Sequence, residues 1–170
     1  TLSRVDRRMH IIGSPRAAAK ALQLGFARVT ALSPKESMNL GDLRILALPG
    51  SVVGPPWDDP ENGYVFTDTR PGGLAVGVEP HGNFLGPALG TSLRVLPRDP
   101  ELRLDALVLP VTSQTLAGYR LVGGTKDAAA TLSALRPTPR FVLPLKNGEI
   151  KTSGALAPML YETGSPAELA

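Results

Sequence analysis

The chain has 170 residues, 42% of them hydrophobic and 19% charged, which places it among globular domains large enough for a real core and outside disordered segments. It contains no cysteine, so disulfides, a cysteine nucleophile and thiolate metal sites are excluded within it. Net charge is +3, and the 18 basic residues are scattered rather than interleaved with aromatics, so no nucleic-acid partner is expected; nor does any apolar run approach the roughly 18 residues of a membrane span.

Gly (18) and Pro (17) exceed one residue in five, so short elements and many turns are expected. The first residue is Thr1, with no visible targeting peptide, and the chain is expected to begin inside a longer product. His10-Ile11-Ile12-Gly13 reads as a short strand. Ser14-Pro15 is a helix start, Ser as N-cap and Pro at the first helical position. The helix runs over Arg16–Leu24 and stops at Gly25, with Ala17, Ala21 and Leu24 on one stripe and Ala18 and Leu22 beside it. A second strand is centred on Arg28-Val29-Thr30. Ser33 to Glu36 and Asn39 to Asp42 read as turns. Leu43 to Leu48 reads as a strand with Leu43, Ile45 and Ala47 on one face.

Residues 51–63 read as a loop holding the single Trp57, which covers a core edge or lips a pocket. Tyr64–Asp68 and Leu74–Val78 flank Pro71-Gly72-Gly73 and form an expected antiparallel hairpin. Gly77 thins the second strand where a neighbour comes close. That strand stops at Glu79-Pro80-His81-Gly82, because Pro80 has no N–H to continue a ladder and Gly82 permits a turn. A carboxylate and an imidazole two residues apart at a strand mouth suit hydrogen bonds to their own loop, and they also suit metal ligation. Glu79 and His81 are therefore the candidate metal ligands, weak ones because they are only two.

Leu85–Glu101 is expected to be irregular. Ala106 to Val111 reads as a strand buried on both faces, and Thr112 to Gly124 as a loop. Thr125 is expected to cap a helix over Lys126–Leu135 with an Ala128-Leu132-Leu135 stripe. Phe141 to Leu145 reads as a strand, Lys146 to Glu149 as a turn, and Ala155 to Tyr161 as a short helical piece. Strand hairpins in the middle and strand-helix-strand units at either end favour a layered α/β sandwich over a doubly wound sheet.

Several motifs do not occur: no phosphate-binding glycine loop with Lys-Ser or Lys-Thr, no Gly-x-Gly-x-x-Gly and no Gly-x-Ser-x-Gly. Gly123-Gly124-Thr125-Lys126 fits an anion at a helix start or a simple tight turn. Neither His10 nor His81 has local support as the base of a serine triad.

In order and spacing, the segments resemble the metallo-β-lactamase superfamily, in its ascorbate-lactonase-like branch of plants, algae and cyanobacteria. The residues that carry the likeness are Ile11 to Pro15 with the Ala-rich helix and Leu24-Gly25-Phe26, then Val29 to Leu32, Pro49-Gly50, Glu61-Asn62-Gly63-Tyr64, Glu79-Pro80-His81-Gly82 and Val142 to Leu145. The resemblance implies a single, incomplete domain over residues 1–170, an αββα sandwich lacking its N-terminal part, with metals at one edge. Its His-x-His-x-Asp-His loop would lie before the segment matching Thr1. Its usual strand-end aspartate is nearest Glu79, and its final histidine is replaced by Lys146-Asn147-Gly148.

The expected function is a binding or accessory subunit of a larger assembly, with other protein chains as partners and no cofactor in this chain. The alternative is a hydrolase whose ligand loop lies upstream, with zinc or another divalent metal in the full-length protein. The resemblance also implies a soluble protein of the plastid.

Overall fold

The computed structural model describes residues 6–51, 61–82, 104–135, 137–145, 153, 155 and 157–168. The expectations for Trp57, Leu85–Glu101 and Lys146 to Glu149 lie outside the described residues.

The first unit is strand β1 (His10–Gly13), helix α1 (Pro15–Gln23) and strand β2 (Arg28–Ala31), with β1 and β2 parallel. Ser14 caps the helix as expected, its hydroxyl accepting the Ala17 N–H at 3.3 Å, and Pro15 opens it. Ala18 and Ala21 are buried, but Leu22 and Leu24 are exposed, so the packed stripe is narrower than the Ala17-Ala21-Leu24 reading.

A six-stranded sheet follows: β3 (Ser37–Leu40), β4 (Leu43–Pro49), β5 (Asn62–Asp68), β6 (Ala75–Val78), β7 (Ala106–Pro110) and β10 (Phe141–Leu145), in the order β10-β7-β6-β5-β4-β3. β3 to β6 form an antiparallel meander, and β6, β7 and β10 run parallel. The β5–β6 hairpin is the one expected around Pro71-Gly72-Gly73, with Tyr64 opposite Val78 and Phe66 opposite Val76. β3 replaces part of the Asn39 to Asp42 turn. Its polar residues hid its pleat, and the reversal needs only Gly41 and Asp42.

Strands β8 (Ser113–Leu116) and β9 (Tyr119–Val122) form a hairpin where a loop was expected; the short helical piece expected over Ala155 to Tyr161 is a single 3-10 turn (Ala157–Met159), and β11 (Leu160–Thr163) follows it and joins β8. The hairpin turn is Ala117-Gly118, both with positive φ (49° and 84°), the backbone of a primed turn. Alanine is a poor marker for that conformation, so the turn was not legible. The second α-helix, α2 (Thr125–Ala134), starts one residue early. Asp127 caps it by accepting the Gly124 N–H at 2.9 Å, while the Thr125 hydroxyl donates to the Val111 carbonyl instead.

Alternation along the sheet sends side chains to two faces. On one face Leu46, Leu48, Val65, Ala75, Leu107 and Leu109 pack with Ala128 of α2 and with Leu135 just after it. A fully buried residue such as Val65 or Leu109 contributes about 1.5–3 kcal/mol by burial. Gly77 serves this face: a Cβ there would stand 2.8 Å from Leu107 Cδ1, so the thinning read from the sequence is real. On the other face Ile45 and Ala47 pack with Tyr64, Phe66, Met38, Ile12 and Leu32, where the β1–β2 layer covers them. β7 is buried more deeply on one face: Leu107 and Leu109 are buried, while on the other Ala106 and Val108 are half-buried and Pro110 is buried.

Candidate functional site

Strand directions decide where polar ends gather. β4, β6, β7 and β10 all finish at one edge of the six-stranded sheet, and β5 begins there. Ser51 follows β4, Glu61 precedes β5, and Glu79-Pro80-His81-Gly82 follows β6. The Pro49–Asn62 register brings the first two together, and the Glu61 N–H donates to the Ser51 carbonyl at 2.8 Å.

Glu79 turns inward and is buried. Its Oε1 accepts the Ser51 hydroxyl at 2.9 Å, the Gly82 N–H at 3.2 Å and the His81 N–H at 3.3 Å. Pro80 forces the turn that points those two amides back at the carboxylate. The Gly123 N–H donates to the His81 carbonyl, tying the turn to the start of α2. The other carboxylate oxygen lies over Gly63, where an added Cβ would stand 2.6 Å from it. Burial pushes the Glu79 carboxyl above its ordinary range; the Ser51 hydroxyl, the two amides and the neighbouring His81 pull the other way and lose.

His81 behaves differently. Its imidazole is 27% exposed, and its Nδ1 lies 3.0 Å from Glu61 Oε2. The approach is close but poorly aligned: it is a charge contact when the ring is protonated, and Nδ1 itself is shielded from solvent without an aligned hydrogen bond. The two side chains make different contacts: the Glu79 carboxylate is taken up by Ser51 and the turn amides, while the His81 ring faces Glu61. The structural hydrogen bonds expected of His81 come from its backbone, not its ring.

The second histidine, His10, sits in the β1–β2 layer with Nε2 2.8 Å from Thr30 Oγ1. Asn62, buried beside the edge, donates to the Leu32 carbonyl at 2.8 Å and to the Tyr64 hydroxyl at 3.2 Å, tying the two layers. Burial raises the Tyr64 hydroxyl's pKa against the pull of Asn62.

The donor set allows a test for the metal that such an edge suggests. Glu79 fits poorly: one oxygen is occupied by three donors and the other packs on Gly63. His81 and Glu61 are suitable donor types, one nitrogen and one carboxylate, at a spacing that two ligands of one ion can adopt. Among the described residues no three His, Asp or Glu side chains converge as a metal set. These residues alone fall short of the three protein ligands that a catalytic zinc usually takes. Reading from sequence missed Ser51 and the role of Glu61. The available signal was their position at the two ends of one antiparallel register.

No protein-family model matches the chain, and no curated protein matches it. Solved structures do. Isothiocyanate hydrolase from Delia radicum gut bacteria is 18% identical over 98% of this chain and 61% of its own, with a TM-score of 0.65. CmlA, a diiron beta-hydroxylase from Streptomyces venezuelae, is 15% identical over 79% of this chain and 30% of its own, with a TM-score of 0.62. The metallo-beta-lactamase fold protein YhfI from Bacillus subtilis is 13% identical over 86% of this chain and 57% of its own, with a TM-score of 0.54. At these identities the likeness establishes the fold: a mixed α/β arrangement of the metallo-β-lactamase type. The chain spans between 30% and 61% of the length of these three structures.

Proposed function

We propose that residues 1–170 form a metallo-β-lactamase-like domain without a tight metal centre of its own, acting as a binding or accessory part of a larger assembly with other protein chains. The observation that carries this reading is the state of Glu79. The carboxylate best placed to be a ligand holds its own turn and Ser51 instead. Among the described residues, what remains at the edge for a ligand is the half-exposed His81–Glu61 pair. The ascorbate-lactonase-like branch and a plastid location belong to the same proposal and rest on the sequence resemblance alone.

The test is metal content of the 170-residue chain after extensive dialysis at neutral pH, with His81→Ala as control. The expected result is no stoichiometric metal in either. Zinc, iron or manganese that is retained at one equivalent and disappears in His81→Ala would sink this reading.

A second reading is favoured by the 3.0 Å approach of His81 to Glu61 and by the metal-dependent enzymes among the structural neighbours. In it the full-length protein is a metal-dependent hydrolase, with further ligands supplied from outside residues 1–170. A bound divalent ion there would act as a Lewis acid and activate water. His81 and Glu61 would hold it, while Ser51 and Glu79 would keep the His81 turn in place. Metal retained by the full-length protein and absent from residues 1–170 separates the two readings.

A further inference from the structure

We infer that the end of the β1–α1–β2 layer remote from the site edge docks on a membrane surface that carries anionic lipid headgroups. The inference is independent of the metal question.

Charge carries it first. Residues 7–35 hold Arg7, Arg8, Arg16, Lys20, Arg28 and Lys35 and no Asp or Glu, a formal charge of +6. The whole chain carries +3, so the other residues, 12 basic against 15 acidic, carry −3. One layer of the fold is therefore a basic body on a net acidic remainder.

The fold gathers part of this charge at one end. The Leu32 N–H donates to the Gly13 carbonyl, and the Leu32 carbonyl accepts from Asn62, so β1 and β2 finish towards the site edge. They start at the other end, where His10 is in register with Arg28. Helix α1 finishes there too. The Ala27 N–H donates to the Arg7 carbonyl, and a Cβ on Gly25 would stand 3.1 Å from the Arg7 guanidinium. Arg7 and Arg28 are exposed, as is Lys20 about one turn back along α1. Asp6, the acidic residue that adjoins this stretch in sequence, is taken by Arg8 at 3.0 Å.

Apolar side chains stand in the same place. Met9 is 53% exposed, Leu22 59% and Leu24 37%. Helix α1 buries Ala18 and Ala21, and both leucines are left out. One exposed Leu is ordinary on a protein surface; three large apolar tips at one end of a layer, in the company of Arg7, Lys20 and Arg28, form a patch. A bilayer suits that mixture: the charges meet headgroup phosphates, and the tips enter the boundary with the acyl chains. An acidic protein surface would satisfy the charges alone. Leu22 and Leu24 lie about 160° apart around the helix end, so a protein partner would need a separate pocket for each, whereas a fluid bilayer takes both. The site edge is at the opposite end of the layer, and docking leaves Glu61 and His81 uncovered.

The test uses the polypeptide as cells make it and vesicles of phosphatidylcholine, with or without about one-third phosphatidylglycerol. Co-sedimentation at low ionic strength is expected to show binding about tenfold or more tighter to the anionic vesicles, weakening as salt is added. Lys20→Glu with Arg28→Glu is expected to lower that binding about tenfold or more, since each basic group near the surface brings about fivefold. Leu22→Ser with Leu24→Ser leaves the charge unchanged and is expected to lower it about fivefold. Thermal melts check that each pair still folds; Lys20→Gln with Arg28→Gln replaces the first pair where it does not, and Met9→Ser the second. Equal binding to both kinds of vesicle, no binding to either, or binding that either pair leaves unchanged overturns the inference. So does binding to soluble polyglutamate but not to anionic vesicles, because an acidic protein would then be the occupant.

Discussion

Glu79 and His81 stand two residues apart at one strand end, yet they live in different surroundings. Glu79 lies in a closed knot of Ser51, Gly63 and the turn amides, where every neighbour depends on it. The His81 ring lies on a rim where, among the described residues, it faces Glu61, itself half in water. The difference teaches how to sort polar residues at a sheet edge. A buried carboxylate with several donors is holding backbone, while a shielded imidazole nitrogen without an aligned partner is available to a ligand.

The sharpest way to break the comparison is Glu79→Ala. It leaves a buried hydroxyl and two inward amides without their acceptor, and about 3 kcal/mol of unfolding free energy should disappear in urea titrations. A smaller loss at Glu79 than at His81 would reverse the assignment. Gly63→Ala comes next. Its methyl group would press on a carboxylate that cannot back away, and about 2 kcal/mol should be lost.

The pH dependence is smaller and has a definite sign. Burial holds the folded Glu79 carboxyl above its ordinary 4.5, so the native state keeps this proton longer than the unfolded chain. Its contribution is fully present below that ordinary value and is lost as pH rises through the raised one. Glu79→Gln should flatten this slope in melts taken across the same window. The smallest effect belongs to the rim: His81→Ala or Glu61→Gln should shift stability by about 0.5 kcal/mol or less, because exposed ion pairs contribute little. A large shift there would mean that the rim is structural too.

Much of the fold was legible because its signals are local. Ser14-Pro15, the apolar alternation of β4 and Pro71-Gly72-Gly73 each state their geometry within a few residues. The strands that escaped, β3, β8, β9 and β11, are short and carry polar residues, and the partner of β11, β8, lies far back in the chain. The β8–β9 hairpin also turns on an alanine. At the site, Glu79 and His81 were correctly placed at a strand mouth. Their roles were not legible, because Ser51 and Glu61 meet them only through the β4–β5 and β5–β6 registers. No spacing within residues 79–82 reveals that Glu79 folds back on its own amides.

The β5–β6 hairpin has a mechanical consequence. Glu61 and His81 are twenty positions apart in sequence, but they ride on the same end of one two-stranded lever whose far end is the Pro71-Gly72-Gly73 turn. Their spacing is therefore set by the ladder that pairs Tyr64 with Val78, and not by either loop. If the hairpin tilts as a body, both groups swing together and the gap between them is preserved, like the jaws of a clamp machined from a single bar.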